Sequence, residues 1–124
     1  MKKNIKLLLG IALLVVGLIG LVVYRITSQS PTVIPKTNVI LFYGRECPHC
    51  QEVEDFLQKN KVAEKIAFDS IEVWHNKDNA ELLLSKARAC SLADEDVGVP
   101  FLYANGKCLV GTQPVEDFFK MNTQ

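Results

Sequence analysis

Eighteen consecutive residues without a charge, Leu7 to Tyr24 (LLLGIALLVVGLIGLVVY), set the first limit on what this chain can fold into. At about 1.5 Å of rise per residue, a helix of that length spans roughly 27 Å. The hydrocarbon core of a bilayer is about 30 Å thick, and Tyr24 stands where an interfacial aromatic would. The chain has 124 residues, so what remains suffices for one small domain. The sequence therefore reads as a basic tail (1–6), a transmembrane anchor in contact with lipid (7–24), a linker (25–37) and a single domain (38–124).

The flanking charges predict an orientation. Lys2, Lys3 and Lys6 precede the apolar run and only Arg25 follows it closely. The basic-inside bias puts the N-terminus in the cytoplasm and the domain outside it, as a single-pass protein. A cleaved signal peptide is the rival reading. Its apolar region would be long for that class, and Ile26-Thr27-Ser28 is a poor cleavage site. Both readings export the domain. No cysteine precedes Cys47, which excludes a lipid-bearing cysteine near the N-terminus. The first thirty residues hold four of the fourteen basic residues and no acid. The rest has ten basic against fourteen acidic, a net charge of −4. An acidic domain gives no electrostatic reason to bind nucleic acid.

Past the tether-like stretch Thr27 to Thr37, polar with two prolines, hydrophobic patterning predicts the elements. Asn38 to Tyr43 (NVILFY) is a continuous β-branched and aromatic run, suited to a strand buried on both faces. From Pro48 the pattern is helical, with Cys50, Val53 and Leu57 on one side. Pro48 suits the first helical turn, where its missing N–H costs nothing. A second strand is predicted over Ser70 to Trp74 and a helix over Asn79 to Cys90, followed by an acidic loop from Leu92 to Gly98. Trp74 is read as packing and His75 as solvated. Phe101 to Ala104 and Lys107 to Val110 flank Asn105-Gly106, a strong signal for a type I′ hairpin. Pro114 is read as opening a final helix. The order is β-α-β-α-β-β-α, an α/β domain whose first crossover is parallel and right-handed. The closing hairpin makes the four-stranded sheet mixed, and helices must cover both faces.

Cys47-Pro48-His49-Cys50 carries the chemistry. Cys47 falls at a strand-to-helix junction, where unpaired N–H groups and the helix macrodipole stabilise a thiolate. The thiolate is the attacking species in disulfide exchange. His49, if protonated or donating a hydrogen bond, adds to that stabilisation. Cys50 lies one turn on, placed to resolve a mixed disulfide formed at Cys47. The spacing predicts an exposed Cys47 that attacks and a sheltered Cys50 that releases. A stapling disulfide is the bland alternative. Structural zinc wants four ligands, and Cys90 and Cys108 are not spaced as a second knuckle. Two soft thiolates could instead carry Cu(I). Four cysteines allow three pairings, which spacing alone does not choose between. In an exported domain such bonds can persist.

Phe42-Tyr43-Gly44-Arg45-Glu46 before the motif, Gly98-Val99-Pro100-Phe101 and Asn105-Gly106-Lys107 together resemble the thioredoxin superfamily over residues 38 to 122. The resemblance implies that Pro100 is a cis-proline facing the active cysteines, and that Val99 presents its backbone to a substrate strand. VPFLYANGKCLVG, and Leu41 where thioredoxins bury an acid, resemble the short glutaredoxin branch. Glutaredoxins usually follow the last strand with Gly-Gly and a nearby Asp that hold glutathione. Here the run is Val110-Gly111-Thr112-Gln113. Their usual lysine three residues before the first cysteine is Gly44, with Arg45 adjacent. These departures put glutathione in question as a partner. The Pro-His dipeptide is similar to the DsbA family of periplasmic disulfide oxidases, whose helical insertion has no room here. The family topology implies that Cys90 and Cys108 lie away from the active pair. A disulfide between them, two buried small side chains, or a redox shuttle would each fit.

These features predict a membrane-anchored, extracytoplasmic thiol–disulfide oxidoreductase. Cys47 would be its nucleophile and Cys50 the resolving thiol, with His49 tuning Cys47 and Val99 with Pro100 docking substrate. Protein thiols and disulfides outside the cytoplasm, or a membrane redox partner, would be its substrates. The redox couple is the Cys47–Cys50 pair, with no organic cofactor and no metal. A copper(I)-handling protein and a non-catalytic adaptor of the same fold are the alternatives. Asp94, Glu95 and Asp96 read as a solvated turn or, alternatively, as a selector of basic substrates.

Overall fold

Val39–Tyr43 (β1) is apolar at every position, and both faces of the sheet it founds are therefore covered. In the computed structural model, which describes residues 2–27 and 33–124 (Lys2, Lys3, Leu7 and 25–27 by backbone alone), Val39 and Leu41 point to one core. Ile40 and Phe42 point to the other. The chain divides into two units, residues 1–31 and 32–124.

The first unit is one helix, α1 (Lys2–Thr27). It begins at Lys2, so the described part of the basic stretch is helical. Its stretch Asn4–Tyr24 is long and apolar enough to cross a membrane, and none of it is buried in protein. Leu13, Leu14 and Val16 each expose two thirds or more of their surface. Such a helix gains nothing from water and is a candidate membrane span.

The second unit follows the order α2 (Pro48–Lys59), β2 (Asp69–Glu72), α3 (Lys77–Ala89), β3 (Phe101–Ala104), β4 (Lys107–Val110) and α4 (Thr112–Asn122) after β1. The sheet order is β2-β1-β3-β4. β1 and β2 are parallel, with Ile40 opposite Asp69 and Tyr43 opposite Glu72. β1 and β3 are antiparallel, as are β3 and β4. Val53 and Leu57 of α2 join Val115 and Phe119 of α4 over one face. Leu83 and Ala87 of α3 cover the other with Ile71 and Phe101. Asn105 and Gly106 both have positive φ, at 50° and 87°, as a type I′ turn requires.

Several boundaries differ from the sequence reading. β2 starts at Asp69 and stops at Glu72, although the Val73 amide still bonds to the Tyr43 carbonyl at 2.9 Å. α3 starts at Lys77 because the Asn76 side chain caps it, accepting from the Asn79 amide. α4 starts at Thr112, with Gly111 (φ 95°) before it, so Pro114 sits inside the first turn rather than opening the helix. Short 3₁₀ turns occupy Val62–Glu64 and Asp94–Asp96.

The largest difference lies in the linker, whose last residues are bound to the domain. The Lys36 and Thr37 amides and the Thr37 hydroxyl all donate to Asp69 Oδ2, at 2.8, 2.7 and 2.9 Å. The Val33 amide donates to Oδ1 of buried Asn79 at 3.3 Å. Burial alone would raise the Asp69 pKa. Hydrogen bonds from the Thr37 backbone and hydroxyl and from Lys36 outweigh it and hold the carboxyl below its ordinary value.

Candidate redox site

Because β1 and β2 run parallel, the segments leaving them emerge at the same end of the sheet. The β1 exit, Gly44 to Glu46, turns into α2 with the Cys47 amide bonded to the Gly44 carbonyl at 3.1 Å. Cys47 is the N-cap, extended at φ −80° and ψ 116°. Its carbonyl receives the Cys50 and Gln51 amides, both at 3.1 Å. Its Sγ accepts the Cys50 N–H at 3.3 Å, one of the donors that a helix start leaves unpaired. On its other side the Cys47 thiol donates to the Val99 carbonyl at 3.7 Å. The Val99–Pro100 peptide is cis. The structure thus brings Cys47, Pro48, Cys50, Val99 and Pro100 together from two separated stretches of chain.

The contrast in exposure expected of the two cysteines is absent. Both are free thiols, and both are buried, Cys47 at 4% and Cys50 at 6% exposure. Chemistry separates them instead. Burial first, then the hydrogen bond with Cys47, pushes the Cys50 thiol up to about 12, against an opposing contact from the Gly44 backbone. The Cys47 sulfur instead receives an N–H, the contact that favours a thiolate.

His49 reaches the site, but its ring turns outward. It is 72% exposed, and its Nδ1 lies 3.4 Å from Glu52 Oε2. The Thr112 hydroxyl lies 3.5 Å from both the His49 carbonyl and Glu52 Oε2, joining the start of α4 to α2. The ring is thus engaged by Glu52 rather than by Cys47.

One neighbour differs from the sequence expectation, and a second, Trp74, packs as expected but on a partner the sequence does not point to. His75 is not simply solvated. Its Nε2 lies 2.8 and 2.9 Å from the two oxygens of Glu46, the residue before Cys47. The hydrogen bond from His75 holds the Glu46 carboxyl below its ordinary value. Trp74 lies on Gly44: a Cβ there would stand 2.3 Å from Trp74 Cδ2 and 2.4 Å from Cε2. That approach, and not its φ, favours glycine there. The signal available in sequence was topological, since residues following two adjacent parallel strands share one end of the sheet.

Cys90, the C-cap of α3, is bonded to Cys108 of β4, with an S–S distance of 2.05 Å. Cys108 is two residues beyond the hairpin turn, and Ala104, just before that turn, pairs with Val39. The bond therefore sits at the end of the sheet opposite Cys47. No group of three or more His, Cys, Asp or Glu side chains among the described residues is placed to hold a metal.

Parallel βαβ followed by an antiparallel hairpin and a helix is the thioredoxin fold in its short form. The sequence pattern of the glutaredoxin family matches residues 39–109, more than half the chain, and the protein belongs to that family. Among solved structures it is similar to a wheat glutaredoxin, with 22% identity and a TM-score of 0.50 over 69% of this chain and 72% of that one. It is also similar to a glutaredoxin from Archaeoglobus fulgidus (18%, 0.49, covering 70% and 86%). A third is the holo form of glutaredoxin C1 from Populus tremula × tremuloides (20%, 0.47, covering 70% and 78%). At such identity the likeness to the wheat protein speaks for the fold alone. No curated protein matches the sequence. Family membership supports thiol–disulfide oxidoreductase activity in general terms.

Proposed function

We propose that this protein is a membrane-anchored, extracytoplasmic thiol–disulfide oxidoreductase that passes disulfides to protein thiols through Cys47 and Cys50. The observation that carries the reading is the setting of the Cys47 sulfur. It caps a helix start, accepts an N–H, and lies against the carbonyl before a cis-proline. In the oxidised protein a substrate thiolate attacks Cys47 Sγ, and Cys50 leaves and takes up a proton. A second substrate thiolate then attacks the substrate sulfur of the mixed disulfide. Cys47 departs as a thiolate, and two electrons have moved from the substrate dithiol to the protein pair. Attack by Cys50 on the same mixed disulfide would return the substrate thiol unoxidised, and the burial that raises the Cys50 pKa slows that escape. A thiolate stabilised at Cys47 stabilises the reduced form and makes the disulfide oxidising. The pair is its own redox centre, and the reaction needs no organic cofactor.

Export is supported by the basic residues at the start of α1 and by the Cys90–Cys108 bond, which persists in oxidising compartments. Glutathione is disfavoured as partner. Trp74 occupies the space a side chain at position 44 would need, and Thr112 follows Gly111 where a second glycine would stand. The test is thiol exchange by the full chain in nanodiscs, equilibrated with glutathione buffers. The expected result is a single two-electron couple at Cys47/Cys50, absent from Cys47→Ser. A Cys47 that exchanges with no disulfide would sink the reading.

A further inference from the structure

Beside Cys47 lies an apolar surface that the exchange chemistry does not use. The Trp74 indole is seated on Gly44, three residues before Cys47, and the residue remains 52% exposed. It continues into a cleft of about 230 Å³ lined by Trp74, Ala80, Leu83, Leu84, Val97 and Val99. The lining contains no charged side chain. The volume is below the roughly 300–1,000 Å³ of small-molecule sites and suits one side chain. Val99 belongs both to this cleft and to the contact with the Cys47 thiol, so the cleft begins where the reacting sulfur is held.

The charges around the cleft narrow the occupant further. Asp94 is taken by Arg88, with Nη2 to Oδ2 at 2.6 Å. Glu46 is taken by His75, and Glu72 accepts the Trp74 and His75 amides. Glu95 and Asp96, immediately before Val97, make no ion pair among the described residues and are exposed. The domain as a whole carries excess negative charge.

Building on the oxidoreductase reading, we infer that Trp74 and its cleft form a specificity subsite for protein thiols. It selects cysteines that have a large apolar residue alongside and a lysine or arginine next to that. The apolar side chain enters the cleft against the indole as the substrate backbone meets Val99. The basic residue faces Glu95 and Asp96. Apolar contact supplies most of the discrimination, because the exposed carboxylates are screened by salt.

The experiment uses reduced full-length protein in nanodiscs and short cysteine peptides carried as mixed disulfides with 2-nitro-5-thiobenzoate. Cys47 thiolate attacks the peptide sulfur and expels coloured nitrothiobenzoate. Cys50 then displaces the peptide thiol and gives it its proton. Two electrons pass from the protein dithiol to the mixed disulfide. The peptides carry Leu or Gly beside the cysteine and Lys or Glu next to it, in both orders about the cysteine. The glutathione derivative is run alongside. The second-order rate constant is expected to favour Leu over Gly by about tenfold, the scale of one apolar side chain in a pocket. Lys should exceed Glu by roughly threefold, a margin that shrinks in high salt. Trp74→Ala should bring the Leu-to-Gly ratio near one, and Trp74→Phe should keep most of it. Equal rates for all peptides, a glutathione derivative as fast as the best peptide, or an unchanged Leu preference in Trp74→Ala each overturns the subsite and leaves the oxidoreductase reading standing. No nitrothiobenzoate release from any of them overturns both.

Discussion

Two thiols of nearly equal exposure differ in their surroundings: the first accepts an N–H at a helix start, and the second is pushed up chiefly by burial. The consequence for Cys50 is measurable. Its pKa rises from 9.0 to about 12, chiefly through burial. A folded state that holds its proton more tightly than the unfolded chain loses stability as pH rises between those values. The reduced protein is therefore expected to be progressively destabilised from about pH 9 to about pH 12 in chemical denaturation. The oxidised protein, whose Cys50 cannot titrate, should not show that component, nor should Cys50→Ser. Gly44 offers a second test at this scale. The chain has one tryptophan, so its fluorescence reports on Trp74 alone. A methyl at position 44 would stand within 2.4 Å of two indole atoms. Because the ring is half exposed it can swing aside, so Gly44→Ala is expected to cost less than about 1 kcal/mol while shifting the emission to longer wavelength. Unaltered emission would show that the indole does not lie on Gly44.

At the scale of elements, what the sequence discloses is what repeats. The apolar run of β1, the three-and-four spacing of α2 and Asn105-Gly106 are local signals, and each stands where it was read. Cys47 and Cys50 were legible for the same reason, being three residues apart. Contacts between distant residues were not. Asp69 holding Lys36 and Thr37 across more than thirty residues leaves no pattern, and neither does Trp74 over Gly44. Sequence predicts an exposed Cys47 because a helix start is open by default, while in the fold the Val99 loop covers it. The bonded end of the linker is testable. Asp69→Ala removes the acceptor of three bonds and should destabilise the domain by about 2 kcal/mol, with faster hydrogen exchange at the Lys36 and Thr37 amides. In the intact protein the Asp69 carboxyl titrates below its ordinary value. A depressed pKa means stabilisation present above the ordinary carboxylate range and lost as pH falls through the folded value. Those amides should thus stay protected into mild acid and lose protection only below it. At the far end of the sheet, replacing Cys90 and Cys108 by alanine reopens a loop of 18 residues and should cost about 3 kcal/mol in the loop-entropy account.

For the whole molecule, the apolar helix and the Cys90–Cys108 bond bear on one question from independent directions. A helix with exposed leucine and valine along its length is a candidate membrane span, and in the proposed orientation Lys2, Lys3 and Lys6 hold its start in the cytoplasm. A disulfide persists where the surroundings are oxidising. If the domain is exported, both conditions are met at once, and the second becomes a reporter for the first. Replacing the three lysines with asparagine leaves Arg25 as the only nearby basic residue, now on the other side of the span. Part of the population is then expected to insert the opposite way. In right-side-out vesicles a membrane-impermeant maleimide, applied after a reducing pulse mild enough to open only the more oxidising Cys47–Cys50 pair, should label Cys47 in the parent protein. It should label a smaller fraction of the triple variant. Mass spectrometry of the same samples before reduction should find Cys90 and Cys108 bonded in the labelled fraction and free in the protected one. A triple variant whose domain stays wholly accessible would show that those charges do not set the orientation. A parent protein with its domain protected and Cys90 and Cys108 free would place the chemistry of Cys47 in a reducing compartment, where an oxidising pair would have no steady role.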